Sequence, residues 1–126
     1  MASGKQISQV SFKFTSITNT PGPGGSVLLQ GNCEGPATVG GQSGTVLVTT
    51  TFVGGGKSGT YSSCSQAYLD DGEVTRADGS GSYESVGKHR WRTQGFVQSS
   101  TGQSGVSEGE IDLAARSWTG KLLEKI

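Results

Sequence analysis

The stretch GSYESVGKHRWRTQG, residues 81–95, holds the chain's only histidine, His89, among Lys88, Arg90 and Arg92 and beside Trp91. A carboxylate, Glu84, precedes it in the same stretch. An imidazole facing a carboxylate in apolar surroundings is an acid/base couple, because burial and pairing tune both proton affinities. Whether these two meet depends on the turn between them. A two-residue turn at Val86 and Gly87 pairs Glu84 with His89. A three-residue turn pairs Ser85 with His89 and sets Tyr83 opposite Trp91, which yields an aromatic cluster and no couple. Both registers are open on sequence, and a lone inward histidine is more often a satisfied core residue than a catalyst.

The basic residues have a simpler explanation. Along an extended segment 88–97, Lys88, Arg90, Arg92, Gln94 and Phe96 share one face, and His89, Trp91, Thr93, Gly95 and Val97 share the other. In the following segment Glu108, Glu110 and Asp112 share a face, opposite Ile111 and Leu113. A hairpin about Ser100 sets Arg92 against Glu108 and Arg90 against Glu110. A turn one residue later sets Arg92 against Glu110 and Arg90 against Asp112. Either register makes a ladder of opposite charges, each pair contributing about 0.2–1 kcal/mol. The ladder then faces water, while His89, Trp91, Thr93, Ile111 and Leu113 face inward.

The elements that position these residues are strands. No window sustains a 3.6-residue apolar period; short segments rich in Val, Thr, Phe, Tyr and Ser are cut by glycine clusters, the all-β pattern. QISQVSFKFTSIT alternates at Val10, Phe12 and Phe14. Further segments follow, including SVLLQGNCEG, GTVLVTTTFV, SGTYSSCSQAYL, the short EVTRA, SGSYESV and a terminal RSWTGKLLEK read as strand. Turns are expected at GPATVGGQ, GGGK, DDG, ADG, VG, SSTG and near Ala115. Connections this short require antiparallel neighbours. The prediction is one domain over residues 1–126, an all-β, antiparallel up-and-down β-barrel of eight or nine strands. A two-sheet β-sandwich is the alternative.

Composition narrows the function. Ten basic and ten acidic side chains cancel, which argues against a nucleic-acid groove. No apolar run of membrane length and no signal-like N-terminal segment is evident, so the expected setting is cytoplasmic, with no membrane partner. Cys33 and Cys64 fall on strands separated by a third, beyond disulfide reach, and with one histidine they make a poor zinc set. No metal or cofactor is expected. GGGKSGT lacks the glycine and the following helix of a phosphate-binding loop, since Thr51 stands where that glycine belongs.

An eight-stranded barrel encloses packed side chains or one small ligand, and many inner positions here are small. The leading expectation is therefore a barrel that holds a small apolar or lipid-like molecule, bordered by Trp91, Tyr61, Tyr68, Tyr83, Thr93, Ile111 and Leu113. One alternative is an isomerase or cyclase using that cavity, with Glu84 and His89 as acid and base. Another is a non-catalytic oligomeric assembly module with a filled interior. Trp118 reads as core or subunit contact.

SGTYS, GSGSYESVG, HRWRTQG and SEGEIDL, strung on glycine-punctuated strands, resemble the small eight-stranded barrels of the allene oxide cyclase-like group. That group has many bacterial members of unknown function. The resemblance implies a dimer or trimer and an apolar cavity for a lipid-like ligand. It carries no catalytic residue over to this chain, because no position matches one.

Overall fold

Val10, Phe12 and Phe14 are half-buried on one side of the first strand, and Ser11 and Lys13 are exposed on the other. This is the two-residue period of extended backbone. In a computed structural model that describes residues 3–39 and 41–125, the same alternation builds eight strands. They are β1 (Ser3–Pro21), β2 (Val27–Val39), β3 (Gln42–Val53), β4 (Ser58–Leu69), β5 (Val74–Gly87), β6 (Arg90–Ser99), β7 (Ser104–Asp112) and β8 (Ser117–Lys125). Each pairs antiparallel with the next, and β8 returns to β1, with Phe12 opposite Trp118. The result is a closed up-and-down barrel, not a two-sheet sandwich. Closure satisfies the backbone groups that an open edge would leave unpaired.

There are eight strands because EVTRA and SGSYESV belong to one element, β5. The expected turn at Ala77, Asp78 and Gly79 does not form. Ala77 pairs with Ser65 on one side and Ser99 on the other, and Gly79 pairs with Ser63 and Val97. Two complete ladders outweigh the local preference of Asp-Gly for a turn. The expected turn at GPATVGGQ is also shorter than anticipated, since Pro36 to Val39 remain in β2 opposite Thr45 to Gln42. The GGGK, DDG and SSTG turns form where the glycines predict. Gly54, Gly55 and Gly56 all take positive φ, a run that side-chain-bearing residues rarely adopt.

The two ends of the barrel differ. At the end closed by the β1–β2, β3–β4, β5–β6 and β7–β8 turns, the interior is filled with rings. Phe14, Phe52, Tyr61, Tyr83 and Trp118 form five ring pairs with centroids 5.5 to 6.2 Å apart, each contributing about 0.5–1.5 kcal/mol beyond area burial. Cys33, Val48 and Ile111 pack with them. Toward the opposite end the inner positions shrink to Ser63, Ser65 and Ala67 on β4, Ala77 and Gly79 on β5, and Gly105 on β7. Side-chain volume runs out before the barrel does.

The outer wall carries charge. Arg90 pairs with Glu110, Arg92 with Glu84 at 3.3 Å, and Arg76 with Asp78 at 3.2 Å. Apolar side chains stand exposed on the same wall, among them Leu47, Val74 and Tyr68. Among the described residues no helix is long and apolar enough to cross a membrane.

Candidate functional site

Small inner residues at one end and rings at the other leave a cavity of about 350 Å³, within the range that holds one small molecule. Its floor is made by two aromatic side chains that cross the barrel. Tyr61 rises from β4 and lies over Gly81 on β5 and Gly95 on β6, so its hydroxyl comes within 3.3 Å of Ser107 Oγ on β7. A Cβ at Gly81 or Gly95 would stand 2.8 or 2.5 Å from that hydroxyl, so both positions must lack a side chain for the ring to pass. Trp118 crosses from β8 in the same manner, its Nε1 donating to Thr93 Oγ1 at 3.1 Å. The two rings meet edge to face with centroids 5.5 Å apart.

The walls above this floor are unlike each other. Val10 and Phe12 on β1, Val46 and Val48 on β3, and Leu122 on β8 make one side apolar. On the other, Ser63, Ser65, Thr75, Ser99 and Ser107 present hydroxyls from β4 to β7. The charged residues at the border, Asp78, Glu108 and Lys121, belong to the outward-facing positions of their strands. Among the described residues the inner surface is therefore polar on one side and uncharged. Burial pushes the Tyr61 phenol pKa up, and its bond to Ser107 offsets part of that shift, so the ring keeps its proton near neutrality.

Five of the residues expected inside face inward. Tyr61 and Thr93 border the cavity, and Tyr83 and Ile111 are buried, Tyr83 among the rings of the filled half. Trp91 also faces inward but is only half-buried. Its Nε1 donates to Gly56 O at 2.6 Å, which ties the ring to the triple-glycine turn at the filled end. Tyr68 is on the outer wall, 42% exposed, with its hydroxyl donating to Gln66 Oε1 at 2.8 Å. β4 runs without a bulge, so the parity that buries Tyr61 and Ala67 turns Tyr68 out. Leu113 leaves the strand and enters the β7–β8 turn, where its amide donates to His89 O at 3.1 Å.

The structure does not bring Glu84 and His89 together. The β5–β6 hairpin turns at Lys88 and His89, neither of the expected places, because a register shift between Ser85 and Gly87 leaves Val86 unpaired. Glu84 consequently faces Arg92 on the outer wall. His89 sits exposed in the turn with φ 56°, a left-handed conformation that histidine tolerates better than most residues. Beyond it, the charge ladder takes the later of the two expected registers, with Arg90 opposite Asp112 and Arg92 opposite Glu110. Within that register Arg90 reaches diagonally to Glu110, its Nε 2.8 Å from the carboxylate.

Ser107 and Trp118 are the site residues that strand parity alone does not single out. Their signal is a cross-strand row, Tyr61–Gly81–Gly95–Ser107, in which glycines separate an aromatic residue from a hydroxyl. It becomes visible once the register is known. Among the described residues no three His, Cys, Asp or Glu side chains group to hold a metal ion. No protein-family model, curated protein or solved structure matches the chain; the closed eight-stranded antiparallel barrel is as expected, and nothing ties it to the allene oxide cyclase-like group in particular.

Proposed function

We propose that this barrel is a receptacle for one small, uncharged and mostly apolar molecule, held in the half that the aromatic residues leave unfilled. The observation that carries this reading is the cavity of about 350 Å³ above the Tyr61–Trp118 floor. An assembly module whose interior served only as core would be filled along its whole length, since interiors normally pack to crystal-like density. The absence of charge on the inner face among the described residues favours a neutral ligand, because a buried ion without a partner is costly.

The test uses N-phenyl-1-naphthylamine, a neutral dye that brightens in apolar surroundings. The protein is expected to bind it at a single site with a gain in emission. Ala77→Phe, which places a ring in the cavity from β5, is expected to abolish that gain while the circular dichroism of the barrel persists. Equal dye binding by the folded Ala77→Phe variant would place the dye elsewhere and sink the interior reading.

A further inference from the structure

The crossing of Trp118 over Gly109 leaves an unusual hydroxyl at the cavity floor. An indole N–H can only donate, so in the 3.1 Å contact Thr93 Oγ1 is the acceptor. The hydroxyl proton of Thr93 is then directed elsewhere, and no described residue receives it. Thr93 is 2% exposed, so whatever reaches its hydroxyl must come from the cavity side. A buried donor without an acceptor is uncommon, since its desolvation is uncompensated. Thr93 borders the cavity, so the missing acceptor has a place to stand.

A second donor lies close by. Tyr61 and Ser107 share one hydrogen bond, and whichever hydroxyl donates, the proton of the other remains available. Ser107 pairs with Gly95 and Thr93 with Gly109, so the two hydroxyl-bearing residues are diagonal neighbours on the inner face of β6 and β7. Two donors on one floor, with no cation on the inner face among the described residues, match a neutral oxygen with two lone pairs and not a carboxylate.

Resting on the receptacle reading, we infer that the bound molecule is a neutral carbonyl compound that enters oxygen first. Its apolar body lies against Val10, Val46 and Leu122, and its oxygen accepts from Thr93 and from the Tyr61–Ser107 pair.

The experiment displaces N-phenyl-1-naphthylamine with two probes of matched shape, 2-acetylnaphthalene and 2-isopropylnaphthalene. Wild-type protein is expected to bind the ketone about tenfold more tightly, the usual effect of one neutral hydrogen bond. In Thr93→Val that preference should vanish while affinity for the hydrocarbon stays, and in Thr93→Ser it should persist. The wild-type comparison stands whether or not Thr93→Val folds. So does a second readout: the Trp118 indole proton signal should shift with the ketone and not with the hydrocarbon, because a hydroxyl that donates becomes a better acceptor. Equal affinity for the two probes, or a preference that survives in Thr93→Val, overturns the carbonyl inference and leaves the receptacle standing. Failure of the dye and both probes to bind overturns both.

Discussion

Tyr61 reaches Ser107 across the inside of the barrel, hydroxyl to hydroxyl at 3.3 Å, although three strand-to-strand steps separate them. The ring can lie flat along this row only because the two intervening positions, Gly81 and Gly95, have no side chains. This arrangement makes the floor of the cavity and divides a filled half from an open one.

A methyl group at Gly95 is therefore expected to cost more than loss of the hydrogen bond itself. Its Cβ would stand 2.5 Å from the Tyr61 hydroxyl and 2.3 Å from Ser80 O. Gly95→Ala should lose ~3 kcal/mol by overpacking, and Tyr61→Phe ~1 kcal/mol. Because the Ser80 carbonyl remains, Tyr61→Phe should rescue Gly95→Ala only in part. Urea unfolding of the two single variants and the double variant checks this, and full rescue would show that the ring alone sets the limit.

Thr50 offers the opposite case. It is completely buried, and its Oγ1 bonds to nothing among the described residues. Valine has nearly the same shape, prefers strands and carries no hydroxyl to leave unpaired. Thr50→Val is expected to raise stability by ~1 kcal/mol in thermal or urea unfolding. A loss of stability would mean that the hydroxyl has a partner in solution.

The two thiols are free and face opposite ways, Cys33 into the core and Cys64 to solvent. In native protein one thiol should react with a disulfide reagent at once, and the second only on unfolding. Burial pushes the Cys33 pKa from 9.0 up to about 12. The native state thus holds the proton where the unfolded chain releases it, and stability falls as pH rises. The contribution of Cys33 is full below pH 9 and is lost progressively from 9.0 to about 12. Cys33→Ala should flatten that part of a stability profile, and an unchanged slope would count against the burial of the thiol.

Arg90 and Glu110 meet on the outer wall with side chains 53% and 41% exposed. Arg90→Ala or Glu110→Ala should each cost no more than ~1 kcal/mol, less in high salt. Neither should alter dye affinity, because the pair is outside the barrel. A drop in affinity for either variant would place the binding site on the outer wall.

His89 pays for a left-handed backbone with φ 56°. Glycine adopts that conformation without a Cβ penalty, so His89→Gly should gain ~0.5 kcal/mol after the added freedom of the unfolded chain is counted. The β5–β6 turn is at the filled end, and dye binding should be unchanged. Loss of binding in this variant would return His89 to the site.

Strand identity, antiparallel order, inward parity along β6 and the separation of the cysteines were legible in the sequence, because each depends on neighbours a few residues apart. Alternation at Val10, Phe12 and Phe14 marks a half-buried strand wherever that strand packs. Opposite charges on Arg90, Arg92, Glu110 and Asp112 narrowed the β6–β7 pairing to two registers, since only a matched ladder avoids like charges. Only the tertiary structure decided where an ambiguous turn closed. At Val86 a single unpaired residue moved the turn to Lys88 and His89 and separated Glu84 from His89, and at Asp78 two flanking ladders suppressed a turn altogether. The cavity floor was likewise hidden. Tyr61, Gly81, Gly95 and Ser107 are distant in sequence and become one row only when four strands are in register. A one-residue slip in any of the three pairings would turn a strand's inner residues outward.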